Sequence, residues 1–246
     1  MLYHNAHDYL LSPPHKLTVA VIGCGGTGSQ VLSILGRMNT ALQSLGHLGF
    51  HVTAYDDDTI TEANVGRQLY SLSEIGAHKC ISLISRLNRF NGTQWEAKPE
   101  RFGKTKASAY SHNIYITCVD DFDTRLKIAK HLKTQKTWKH DFQKLYWMDF
   151  GNNNNAGQVI FGTLGRHKIP MPCFDEWAAK YKRPVKTKDV PSCSLAEALE
   201  KQDLLINSSL ANAGMQLLWR LFREGKTPYR GVVINLESLT SNPINV

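Results

Sequence analysis

The stretch Val19-Ala20-Val21-Ile22-Gly23-Cys24-Gly25-Gly26-Thr27-Gly28-Ser29 runs from a short apolar segment straight into a glycine-rich loop. The apolar residues predict a buried strand, and an amphipathic helix is expected from about Gln30. Glycines permit a tight turn and let backbone N–H groups approach an anion closely, while the following helix aims its positive dipole end at it. Gly23, Gly25, Gly26 and Gly28 are therefore the expected phosphate cradle. A glycine loop alone is weak evidence, but here strand, loop and helix stand in the required order.

A second apolar segment, 50–55, ends in Asp56-Asp57-Asp58, and an acidic residue at that place suits ribose hydroxyls. Beyond it come Asn64-Val65-Gly66-Arg67-Gln68 and then Gly76-Ala77-His78-Lys79. A dinucleotide has no need of an Asn, an Arg and a Lys near its phosphates, whereas a triphosphate carries several charges that must be neutralised. A third strand, expected over 114–119, leads into Asp120-Asp121, where a carboxylate at the carboxyl edge of a parallel sheet can hold Mg²⁺. Taken singly, Arg67 and Lys79 read as surface charges, the aspartates as turn formers and Asn64 as a helix cap. Their joint order favours a nucleotide site.

This constellation resembles the ThiF/MoeB family, which activates ubiquitin-like proteins. The matching motifs are the loop G-x-G-G-x-G-S, the pair Asp56 and Asp58, and N-x-x-R-Q from Asn64 to Gln68. Lys79 and the run C-V-D-D-x-x-x-R from Cys118 to Arg125 complete them. Residues 16–162 carry the resemblance well and the remainder loosely. The segments GNNNNAGQVIFG and SCSLAEAL look, more narrowly, like the ThiF-type protein of PRTRC gene systems.

The resemblance implies ATP and Mg²⁺ as cofactors, with Asp56 and Asp58 on the nucleotide and Asn64, Arg67 and Lys79 on the triphosphate. Asp120 becomes the metal ligand. The implied reaction is adenylation of the C-terminal glycine carboxylate of a ubiquitin-like protein, and no general base is required because that carboxylate is already ionised. A thioester step would need a nucleophilic cysteine. Of the five cysteines, Cys193 has the Pro-x-Cys-Ser setting of thioester-forming relatives, and Cys173 is the runner-up. The family's paired C-x-x-C zinc ligands are missing, so zinc is not expected. The first sixteen residues hold no arginine to reach a neighbouring subunit's phosphates, which weakens one support for the homodimer that the resemblance implies. Asp121 stands where relatives usually have Asn.

The 246 residues, 42% hydrophobic and 20% charged, describe one globular adenylation domain able to bury a core. The pattern predicts an α/β fold, a doubly wound Rossmann-like, mostly parallel sheet with an antiparallel C-terminal section. Helices are expected over 30–45, 79–90, 123–133 and 195–221. Strands are expected over 145–150 and 158–164, with a last one over 231–236. Residues 1–15 read as an N-terminal extension and 166–194 as a basic loop over the active site. No apolar run is long enough to span a membrane, and irregularly spaced cysteines suit a reducing compartment, so a cytoplasmic location is expected. The net charge of +8 matches no nucleic-acid-binding signature, and an acidic protein partner with ATP accounts for it. Two alternatives stand beside adenylation: an NAD-dependent oxidoreductase, and a non-catalytic Rossmann-like binding module.

Overall fold

Residues 1–104, 112–134, 144–180 and 194–246 are described in a computed structural model of the chain. Among them, an eight-stranded sheet runs in the order β10-β9-β7-β6-β5-β2-β3-β4. Its parallel part comprises β2 (Leu17–Ile22), β3 (Phe50–Tyr55), β4 (Glu96–Lys98), β5 (Ile114–Thr117) and β6 (Tyr146–Asn152). The antiparallel part adds β7 (Ala156–Thr163), β9 (Tyr229–Asn235) and β10 (Thr240–Asn245). The expected α/β sheet with an antiparallel C-terminal section is thus what forms.

Alternation along the strands sorts side chains to two faces. Leu17, Val19 and Val21 enter the larger core with α2 (Gly26–Ser44), α3 (Lys79–Asn91) and α7 (Ile206–Glu224). Ala20 and Ile22 enter a second core with α4 (Phe122–Thr134) and α5 (Phe174–Ala178). Helices therefore cover both faces, as near-continuous apolar parallel strands demand.

Several expectations need correction. Helix α2 begins at Gly26 rather than near Gln30, because the second half of the glycine loop already forms its first turn, with Ser29 N–H donating to Gly25 O at 3.0 Å. The stretch expected as one helix over 195–221 is two, α6 (Leu195–Lys201) and α7, separated by an extended Gln202 and a turn in which Asp203 Oδ1 accepts the Leu205 N–H at 2.8 Å. The strand expected to be last is followed by β10, whose Pro243 is tolerated because the strand lies at the sheet edge.

The N-terminal extension is tied to the rest of the fold. β1 (His4–Asn5) pairs with β8 (Lys226–Thr227), and Leu10 of α1 (Asp8–Leu11) is buried in the larger core. Of the expected basic loop, residues 166–180 pack against the sheet through Met171, Cys173 and Phe174. Residues 181–193 of that loop, including Cys193, lie outside the described residues. No described helix is long and apolar enough to cross a membrane.

Candidate active site

The parallel registers align the ends of three strands. Ile22 sits opposite Tyr55 and Thr117, so Gly23, Asp56 and Cys118 emerge side by side at the carboxyl edge of the sheet. Gly23 adopts φ +93°, the left-handed region that glycine tolerates, and a Cβ there would meet the Cys118 carbonyl at 3.0 Å. Gly28 is packed more tightly still: its Cβ would fall 1.9 Å from Gly23 O. The loop is held from outside by Asp56, whose Oδ2 accepts the Cys24 N–H at 2.6 Å, and by Tyr70, whose hydroxyl donates to Cys24 O at 2.6 Å. Burial raises the Asp56 carboxyl pKa, opposed by the N–H groups of Cys24 and Asp58 and by Lys79.

These elements frame a cleft of about 780 Å³. Its lining includes Gly23, Gly25, Gly26, Asp56, Asp58, Arg67, Lys79 and Asp120 from the expected set. Lys79, the first residue of α3, is nearly buried and its Nζ donates to Asp58 Oδ2 at 2.8 Å. Asp120 is exposed to the cleft, while Asp121 accepts the N–H and hydroxyl of Thr124 at 2.7 and 2.6 Å. The aspartate at the family's asparagine position thus caps α4.

Asn64 and Gly28 are not among the lining residues. The Asn64 Oδ1 accepts the Thr61 N–H at 2.9 Å in a capping box. Cys173, the alternative nucleophile, is buried and donates to Thr163 O at 3.3 Å, and burial pushes its thiol up to about 12. Cys24 and Cys118 are likewise raised by burial, and Cys80 to about 11.

The cleft has two characters. One part is aromatic: Phe102 packs edge-on against Tyr55 and His131, with ring centroids at 5.1 and 5.4 Å. The other is polar, with residues that the motifs do not mark. Arg67 Nη1 donates to Gln202 Oε1, Asn207 Nδ2 donates to the same oxygen at 2.9 Å, and Asn207 Oδ1 accepts from Thr27 Oγ1 and Asn152 Nδ2 at 2.9 and 3.2 Å. Arg67 Nε and Gln68 Oε1 are buried without a hydrogen-bond partner among the described residues. No group of three or more His, Cys, Asp or Glu able to hold a metal occurs among the described residues.

A model of the ThiF family matches residues 14–244, a span that holds the glycine loop, Arg67, Lys79 and Asp120. The chain belongs to the ThiF family. Solved structures share the fold at low identity. E. coli MccB with ATP superposes with a TM-score of 0.65 at 15% identity, covering 96% of this chain and 64% of that one. E. coli MccB with MccA-N7isoASN gives 0.66 at 14%, covering 93% and 64%. PaaA gives 0.62 at 14%, covering 94% and 64%. The chain therefore spans less than two thirds of the length of these solved structures. No curated protein matches the sequence.

Proposed function

We propose that this ThiF-family chain binds ATP with Mg²⁺ in the cleft and adenylates the C-terminal glycine carboxylate of a ubiquitin-like protein. The observation that carries the reading is the convergence of the glycine loop, Arg67, Lys79 and Asp120 on one cavity. The E. coli MccB structures hold ATP in one case and MccA in others, which supports a nucleotide and a polypeptide acceptor for a protein of this fold.

The acceptor's carboxylate oxygen forms a bond to the α-phosphorus, the bond to the bridging oxygen breaks, and pyrophosphate leaves. Two anions must approach, so the work of the protein is charge neutralisation and alignment. Arg67 supplies positive charge, Lys79 adds to it from its pairing with Asp58, and the N–H groups at the start of α2 cradle a phosphate. Asp56 and Asp58 take the nucleotide's sugar side. The donor set suits Mg²⁺: Asp121 is engaged in capping, Asp58 in pairing with Lys79, and Asp120 is exposed in the cleft. A cation held by one carboxylate and the nucleotide's phosphates is the arrangement Mg²⁺ favours. When bound it would neutralise phosphate charge. A following thioester step would fall to Cys193, whose thiolate would displace AMP from the acyl group. On this reading the protein acts in the cytoplasm, and its narrower kinship is with the PRTRC-system ThiF-type proteins.

The decisive experiment is ATP–pyrophosphate exchange with labelled pyrophosphate, Mg²⁺ and candidate ubiquitin-like proteins. Exchange that requires the partner's terminal carboxylate supports the reading. ATP binding without exchange for any such partner contradicts it.

A further inference from the structure

The turn between α6 and α7 brings two amides into the cleft that no motif predicts. Gln202 ends α6 in an extended conformation (φ −150°, ψ 126°), and Asp203 fixes the turn by donating its N–H to Asn154 O at 2.8 Å. Asn207 follows in the first turn of α7, 3% exposed, so close to the phosphate loop that a Cβ on Gly26 would fall 2.5 Å from its Nδ2.

The direction of each hydrogen bond linking Arg67, Gln202, Asn207, Thr27 and Asn152 follows from Arg67. A guanidinium only donates, so Gln202 must turn its oxygen toward it. That oxygen then receives the Asn207 amide as well, which leaves the Asn207 oxygen facing the Thr27 hydroxyl and the Asn152 amide. Apart from Arg67 itself, every member is uncharged. Arg86, Arg101, Arg125 and Arg220 instead each pair with a carboxylate. Among the described residues no carboxylate forms an ion pair with Arg67; burial lowers its pKa, and the Asp120 carboxylate opposes this from farther away.

We infer that Gln202 and Asn207 are positioning residues that anchor the Arg67 guanidinium over the cleft without neutralising it, so that its full charge serves the phosphates of the bound nucleotide. The inference rests on the ATP reading above. A carboxylate at position 202 would hold the arginine more strongly, through a charge-assisted bond, but would satisfy its charge internally. An amide fixes the orientation and leaves the field intact in a partly buried site, where Coulomb interactions are stronger than in water.

The test is calorimetric binding of MgATP and of AMP to the full chain and to Gln202→Glu, Arg67→Met and the double variant. Gln202→Glu is expected to weaken ATP roughly tenfold, equivalent to about 1.4 kcal/mol, with AMP affinity held within about twofold. In the Arg67→Met background the same change should add little, because the charge it would cancel is gone. An unchanged ATP affinity, an equal loss for AMP, or the same loss with and without Arg67 overturns the proposal. Should Gln202→Glu not fold, Gln202→Met carries the test: selective loss of ATP affinity supports the anchor, and wild-type affinity overturns it. A wild-type chain that binds no ATP overturns the functional reading together with this proposal. ATP binding with an indifferent Gln202→Glu overturns this proposal alone.

Discussion

Arg125 and Asp149 form a buried ion pair beneath the cleft: Arg125 Nε lies 3.2 and 3.1 Å from the two carboxylate oxygens, and Nη2 also donates to Oδ2. The arginine is 5% exposed and the aspartate wholly buried. Thr117 donates to Asp149 Oδ1 at 2.5 Å, and the Phe174 ring lies 3.9 Å from the guanidinium carbon. Removing one partner leaves an uncompensated charge, so Arg125→Met should cost about 3–5 kcal/mol in urea unfolding. Replacing both by apolar residues of similar volume should recover most of that loss. A single variant as stable as wild type would refute the pairing. The last residue of the C-V-D-D-x-x-x-R run, Arg125, thus holds the sheet to α4 through Asp149.

Two glycines of the loop separate folding from binding. A Cβ at Gly28 collides with Gly23 O, whereas at Gly25 it meets nothing within 4 Å. Gly28→Ala should therefore lower the melting temperature and abolish ATP binding together. Gly25→Ala should melt like wild type and still weaken ATP roughly tenfold, because the methyl group would occupy the approach of a phosphate. Unchanged ATP affinity in Gly25→Ala would place the phosphate elsewhere.

Much of the fold is legible because its signals are local. The strand over 50–55 is bounded by its apolar run and the acidic residues after it, and it forms over Phe50–Tyr55. Helix α3 starts at Lys79 and ends beside Gly92 in the left-handed region, a C-terminal signal visible in sequence. The α6–α7 break is not legible, since no glycine or proline marks it; it is held by Asp203 and by the long-range contact of Gln202 with Arg67. β10 contains Asn242-Pro243, a pair that favours turns, and its place at the sheet edge lets it be a strand. In the site, Arg67, Lys79 and Asp120 could be named from motif order. Gln202, Asn207 and Tyr70 act through contacts that span up to 180 residues of sequence, and no local pattern reports them.

Asp120 and Cys193 divide the proposed chemistry into separable steps. Asp120→Asn should abolish Mg²⁺-dependent pyrophosphate exchange while leaving the melting temperature unchanged, since Asp120 is exposed. Cys193→Ala should leave exchange intact and eliminate a thiol-cleavable adduct with the partner. Persistence of the adduct would move the nucleophile to another residue, and the buried Cys173 would first have to be uncovered.

Stability should depend on pH through two histidines. Burial lowers His112 to about 4 and, with His4 and His7 adding to it, His167 to about 4, from the ordinary 6.5. The His112 ring lies against Tyr55 and Tyr115 and feels His51 and Glu96. His167 packs on His4, His7 and Tyr146 beside the N-terminal strand. In the folded chain both rings stay neutral until pH nears 4, whereas in the unfolded chain they take up protons near 6.5. Between those values the unfolded state binds more protons, so stability is complete above 6.5 and is lost as pH falls toward 4. Urea unfolding at about pH 7.5 and pH 5 should differ by roughly 1–3 kcal/mol, a figure reduced for the partial exposure of His167. The double variant His112→Gln/His167→Gln should flatten that slope whatever its absolute stability. An undiminished slope would assign the acid sensitivity to other groups.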